Sequence, residues 1–251
     1  MDEVLTAVID QHAELAGILA AMGDAEWSRP TRCEGWDVSD VVLHLAQTDE
    51  LAIGSAEGRY DEVLYRLGAG LPSAASVDES VAALVQRERG TTPAALHRRW
   101  ASSAHALVTA LDAGDLSRRV PWVMGELSAR TLATTRIAET WIHTGDVADA
   151  VGVELADTDR LRLIARLAWR TLPYAFSSAG RDLTGPVAFR LTSPGGGAWE
   201  FLPDGPAVTT VSGPAGEMCA VAARRRPASA TSLRAEGPDA DAVLDLVRTY
   251  A

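Results

Sequence analysis

Apolar residues recur at helical spacing along most of the chain and then, beyond residue 184, switch to alternation. Val4, Val8, Leu15, Ile18, Leu19 and Met22 share one helical face, which predicts an amphipathic helix from about residue 3 to 22, stopped by Gly23-Asp24. Residues 27–36 read as a loop by their Pro and Gly content, yet they carry Trp27 and Trp36, so the loop must fold back onto apolar surface. Asp37 is placed to cap a second helix through Val38, Val41, Val42, Leu45 and Ala52 to about Ala56, with Asp40 in its first turn. A Gly-, Ala-, Pro- and Ser-rich stretch from Gly68 to Ser76 then crosses to a helix starting near Val77, capped by Ser76 or Asp78. Thr91-Thr92-Pro93 interrupts the pattern, which resumes with Leu96, Trp100, Leu107, Val108 and Leu111, as one long kinked helix or two short ones.

After a loop over 120–125, Ser128 is placed to cap a helix with Leu132, Ile137, Trp141, Val147 and Val151 on its buried side, closed by Gly152. Another helix from about Thr158 to Phe176 packs on the bundle or joins it to the C-terminal segment. The alternation of 186–191 and 198–202 around Pro194-Gly195-Gly196-Gly197 predicts a β-hairpin, and a third strand is expected at 208–211. A helix at 213–224, a strand near 232–235 and a last helix from about Asp239 to Tyr250 complete the pattern. The expected architecture is mainly α with an α+β tail: a helical bundle over 1–180 and a small α+β domain over 184–251.

Composition narrows the function classes. No run approaches the roughly 18 to 20 apolar residues needed to cross a bilayer, and Met1-Asp2-Glu3-Val4 lacks the basic start of a secretory signal, so a cytoplasmic protein without a membrane role is expected. The net charge is -11, and all 23 basic residues are Arg. That balance argues against a nucleic-acid surface, since the only basic cluster is Arg224-Arg225-Arg226. Cys33 and Cys219 have neither zinc-finger nor disulfide spacing and are expected as free thiols.

The candidate chemistry lies on the helix after Ser128. Glu139 and His143 stand at i and i+4, so a carboxylate and an imidazole project from one face. They could form a surface pair, or hold two corners of a metal ion with His44 from the second helix as the third. Two imidazoles and one carboxylate would leave coordination positions open, the pattern of a catalytic centre. His44 alone reads equally as a hydrogen-bonded core residue. His12 is expected at the core edge or in solvent, and His97 and His105 on a solvated face. Asp146, one turn past His143, could orient a ligand or serve as a surface or capping group.

Two blocks, Thr31-Arg32-Cys33-Glu34-Gly35-Trp36-Asp37-Val38-Ser39-Asp40-Val41-Val42-Leu43-His44-Leu45 and Glu139-Thr140-Trp141-Ile142-His143-Thr144-Gly145-Asp146-Val147-Ala148-Asp149-Ala150-Val151-Gly152, resemble the mycothiol-dependent maleylpyruvate isomerase family of the DinB-like superfamily. The family pattern is a Cys-Pro-Gly-Trp-like turn before a helix ending in His-Leu, then Glu-x-x-x-His running into Asp-Val-Ala-Asp-Ala. Glu34 replaces the usual Pro, and Gly145 stands where an aromatic is common, which implies a roomier pocket wall. The tail, with Gly213-Pro214-Ala215-Gly216-Glu217 leading to Arg224 and Arg225, is similar to the sterol-carrier-protein-like domain of many members.

The resemblance implies a DinB-like four-helix bundle in which His44, Glu139 and His143 hold a divalent cation, zinc for preference. It also implies mycothiol as thiol cosubstrate, with Arg225 as the catalytic and cofactor-binding residue, although Arg224 and Arg226 compete for that place. The expected function is a transferase or isomerase acting on a small electrophile through a metal-bound thiolate. Arg225 would suit an anionic substrate, and a monomer or homodimer is expected. A metal enzyme of hydrolase or lyase type that uses no thiol, and a non-enzymatic ligand-binding module, are the other readings.

Overall fold

The computed structural model describes residues 1–72 and 74–249. Ser73 of the expected crossing loop and the expected helix end at Tyr250 lie outside the described residues. Contacts divide the chain into two compact units, Met1–Leu155 and Ala156–Ala251.

In the first unit, α1 (Glu3–Ala21), α2 (Val38–Ala56), α5 (Pro93–Asp112) and α6 (Ala129–Val151) form a bundle in which α2 packs on α5 and α6, and α1 on α5 and α6. The starts follow from capping. The Asp2 carboxylate accepts from the Val4 N–H at 3.0 Å, Asp37 and Asp40 each accept the other's backbone N–H, and Ser128 Oγ accepts from the Thr131 N–H. Each satisfies a donor the helix itself leaves unpaired. Gly152, at φ 77°, ends α6 in the left-handed region where glycine is favoured. Leu15, Leu43, Leu45, Leu96, Trp100, Leu107, Leu132 and Ile137 fill the interior.

α1 has a window of mean hydropathy 1.3, enough with its length to cross a membrane by composition, and half of that window is buried within the protein. Glu3, Asp10 and Glu14 interrupt its apolar positions, which is why no continuous apolar run appears in the sequence.

The interrupted pattern around Thr92 resolves into two helices, α4 (Val77–Glu88) and α5, with Pro93 in the first turn of the latter. Two elements depart from the hydrophobic pattern. α3 (Tyr60–Gly68) buries only Val63 and Leu67 and carries Asp61, Glu62 and Arg66, too weak a stripe to read from sequence. It approaches α2 at Gly54, where a Cβ would lie 2.7 Å from Val63 Cγ2. The expected loop at 120–125 is the heart of an antiparallel hairpin, β1 (Arg119–Trp122) and β2 (Gly125–Ser128), turning at Val123-Met124.

The second unit holds α7 (Leu161–Ser178), β3 (Val187–Thr192), β4 (Ala198–Phe201), β5 (Thr209–Pro214), α8 (Ala215–Ala222), β6 (Arg234–Glu236) and α9 (Ala240–Leu246). The sheet runs β4-β3-β5-β6; β3 is antiparallel to β4 and parallel to β5, and β5 is antiparallel to β6. The sequence pattern drew its boundary after residue 180, whereas the contacts group α7 with the sheet, where Trp169 Nε1 donates to the Val187 carbonyl at 2.7 Å. The protein is thus mainly helical with an α+β C-terminal part.

Candidate metal centre

α6 buries Arg136, Thr140, His143, Thr144 and Asp146, a polar stripe facing into the bundle. Such burial is costly unless each group is paired. The structure pairs all of these but the Thr140 hydroxyl, which is buried with no hydrogen-bond partner among the described residues. Arg136 Nε donates to Asp49 Oδ1 at 3.0 Å and its NH2 to Thr48 Oγ1 at 2.9 Å, and the Thr48 hydroxyl donates to the His44 carbonyl. Arg136 and Asp49 are 2% and 0% exposed.

One turn along, the structure brings His44, Glu139 and His143 together. His44 Nε2 lies 2.8 Å from Glu139 Oε1, and His143 Nε2 lies 3.4 Å from the same oxygen. One donor atom from each residue falls within 4.8 Å of the others. The imidazole rings meet edge to face, 5.0 Å between centroids. Both histidines are buried and Glu139 is half-buried. Burial pushes the His44 pKa down against the opposing hydrogen bond with Glu139. Burial also works against charge on Glu139 and His143. The histidine contacts nevertheless hold Glu139 well below the usual carboxylate range, and Asp146, Cys33 and Glu139 hold His143 well above the usual imidazole range. The ring N–H groups therefore compensate the charge of a half-buried carboxylate. A divalent cation fits this donor set, because it can replace those protons while keeping the same three atoms as ligands.

Asp146 is neither a surface nor a capping residue. It is 1% exposed, and its Oδ2 accepts from His143 Nδ1 at 2.9 Å. A carboxylate on one ring nitrogen fixes the imidazole's orientation and directs the other nitrogen toward Glu139, as in many histidine metal ligands. Trp36 lies against His44, with 5.3 Å between ring centroids. At Gly145 an added Cβ would meet nothing within 4 Å, so the space beside the helix is open there.

The loop before α2 supplies two residues whose role the sequence pattern did not reveal, Cys33 and Trp36. The Cys33 carbonyl accepts from the Trp36 N–H at 2.9 Å, with Gly35 at φ 75°, a turn whose third position needs glycine. Thr31 Oγ1 braces it by accepting from the Cys33 N–H and donating to the Trp36 carbonyl. The turn forms with Glu34 at the position where proline is favoured. Cys33 Sγ, half-buried, donates to Asp146 Oδ2 at 3.4 Å. The only sequence signal for it was its place in the same block as His44.

Arg225 belongs to the second unit. It follows α8, is half-buried, and its NH1 donates to the Ala223 carbonyl at 3.2 Å, while Arg224 and Arg226 are exposed. His12 is buried with its ring edge-to-face on Trp100, 6.0 Å between centroids, so its expected place at the core edge moves inward. His97 is half-buried beside Trp27, and His105 is exposed.

Neither cysteine is in a disulfide. Cys219 is 0% exposed, and burial pushes its thiol pKa far up. A thiol reagent added to the native protein should therefore modify Cys33 alone, with Cys219 reacting only on denaturation, as read by peptide mass.

Comparison with known proteins bears on this geometry. The family model described as the mycothiol maleylpyruvate isomerase N-terminal domain matches residues 8–148. Uncharacterized proteins from two strains of Mycobacterium tuberculosis are each 32% identical over 250 residues, covering 97% of this chain and 95% of theirs. Two crystal structures of the mycothiol-dependent maleylpyruvate isomerase, one of a point mutant, share the fold. They have TM-scores of 0.63 and 0.61 at 20% and 21% identity, covering 95% of this chain and of theirs. With the family model spanning more than half of the chain and the relatives nearly all of it, the chain belongs to the mycothiol maleylpyruvate isomerase N-terminal domain family.

Proposed function

We propose that the protein is a divalent-metal-dependent, mycothiol-dependent thiol transferase or cis-trans isomerase acting on a small electrophile. The observation that carries this reading is the convergence of His44, Glu139 and His143 donor atoms within 4.8 Å, in a chain of this family. These three residues would hold the cation, and two nitrogens with one carboxylate oxygen suit zinc. When bound, the cation supplies the positive charge that favours thiolate over thiol at neutral pH.

The protein's own groups have separable roles. Glu139 is the one anionic residue of the three, so a divalent ion among them keeps a net positive charge for an incoming anion. Asp146 holds His143 by its Nδ1, leaving Nε2 toward Glu139. Trp36 packs against His44 with its ring tilted to the imidazole, and the open space at Gly145 leaves room for a bulky thiol. Arg225 is proposed, on the family resemblance of the C-terminal segment alone, to bind an anionic group of the substrate.

The test is calorimetric titration of mycothiol into the zinc-loaded protein, together with metal analysis. We expect stoichiometric zinc in the wild type, a binding heat with mycothiol, and a thiolate-to-metal absorption band when cobalt replaces zinc. His44→Ala should lose the metal and both signals. Full metal content in His44→Ala, or no heat with the loaded wild type, would sink the proposal.

A further inference from the structure

His143 has two ring nitrogens, and the His44, Glu139 and His143 set uses only one. On the other side, Nδ1 lies 2.9 Å from Asp146 Oδ2 and 3.9 Å from Cys33 Sγ, and Cys33 Sγ lies 3.4 Å from the same carboxylate oxygen. One donor atom from each of the three falls within 4.8 Å of the others. With metal bonds of about 2.3 Å to sulfur and about 2.0–2.2 Å to nitrogen and oxygen, neighbouring corners of a tetrahedral ion lie roughly 3.3 to 3.6 Å apart. The observed separations straddle that range, so small side-chain shifts would bring all three atoms onto one ion.

We propose that Cys33, His143 and Asp146 form a second metal site, thiol-bearing and selective for thiophilic cations, which competes with the first set for His143. The donor chemistry differs between the two sides. The first set offers two nitrogens and a carboxylate oxygen; the second replaces one imidazole by sulfur, which ranks soft ions such as cadmium above harder ones. Its charge also suits a divalent ion, since Cys33 as thiolate and Asp146 as carboxylate together balance two positive charges.

Competition arises from the imidazole itself. A neutral ring has one lone pair available, on either Nδ1 or Nε2, so one His143 serves one ion at a time. Binding on the Cys33 side displaces the thiol proton to solvent and leaves the ring's one remaining proton on Nε2, pointing at Glu139, where it donates and cannot ligate. A soft ion there would disarm the first set without touching His44. The loop geometry keeps the sulfur in place for this. The turn at Gly35 and the two Thr31 hydrogen bonds, to the Cys33 N–H and the Trp36 carbonyl, fix the loop backbone, and the remaining two donors stand on one helix, three residues apart.

The test is titration of cadmium chloride into the metal-free full-length protein in thiol-free buffer, followed by the ultraviolet sulfur-to-cadmium charge-transfer band. We expect the band in the wild type, its retention in His44→Ala and Glu139→Gln, and its loss in Cys33→Ser. Alkylating Cys33 on the folded wild type should abolish the band as well, which covers the case in which the serine variant folds poorly. Cadmium-loaded wild type should also take up less zinc than metal-free protein, with Cys33→Ser insensitive to the pretreatment. Absence of the band in the wild type, its survival in Cys33→Ser or in the alkylated protein, or its loss in His44→Ala would overturn the proposal. The two sets fail separately: zinc retained by His44→Ala removes the first and leaves the cadmium result standing, whereas an absent band removes only the second.

Discussion

Replacing Arg136 with methionine lowers the stability of the first unit by about 3–5 kcal/mol, the cost of breaking a buried ion pair and leaving one charge behind. Arg136 and Asp49 are both inside the bundle, 2% and 0% exposed, and their 3.0 Å contact joins α6 to α2. Asp49 Oδ2 already has no hydrogen-bond partner among the described residues, so loss of the guanidinium strands the whole carboxylate. Methionine restores the volume of the arginine stem, which confines the effect to charge and hydrogen bonding. The double variant Arg136→Met with Asp49→Leu should recover much of the loss, because it removes both buried charges together. Hydrogen exchange of the α2 and α6 amides measures this for the first unit alone, which matters in a chain of two units whose unfolding need not be a single transition. A double variant as unstable as the single one would contradict the account.

Gly237→Ala should cost the second unit about 3 kcal/mol or more, since it combines a disfavoured backbone angle with overpacking against a neighbouring strand. Gly237 follows β6 at φ 116°, and a Cβ there would lie 2.2 Å from the Val208 carbonyl oxygen and 2.7 Å from Thr209 Cα. Both obstacles are main chain at the start of β5 and cannot swing aside as a side chain end would. The same crossing is tied by Asp239, whose N–H donates to Thr209 Oγ1 and whose carboxylate accepts from the Thr184 N–H and hydroxyl. Relief by backbone movement would break those bonds. Gly205→Ala, where nothing lies within 4 Å of the added carbon, is the matched control and should be nearly neutral. Limited proteolysis between β5 and α9 reads the difference.

The parts of the fold legible in the sequence are those in which one side of an element faces apolar neighbours along its whole length. α1, α2, α5 and the strand alternation of β3 and β4 announce themselves in this way. α6 was legible by its caps, Ser128 and Gly152, more than by its face, because its interior carries charge. α3 and the β1–β2 hairpin were not legible: one buries two side chains, and the other has Pro121 within a strand only four residues long. For the site, spacing along α6 could pair Glu139 with His143, and the two-block pattern could add His44. The contact between Cys33 and Asp146 could not be read, since the two lie 113 positions apart and nothing local in either segment encodes the meeting. Nor could the burial of Asp146, which decides between a surface carboxylate and a partner of His143.

Asp146 Oδ2 accepts both the Cys33 thiol and the His143 Nδ1–H, so one oxygen fastens the 31–37 loop and the imidazole at once. Loop docking and ring orientation are then two faces of one conformational equilibrium. Linkage makes their coupling reciprocal: whatever factor an oriented imidazole contributes to holding the loop down, a docked loop returns to the orientation of the ring. A ligand that touches only Trp36 or Thr31 would thereby shift the population of ring orientations without contacting His143 itself.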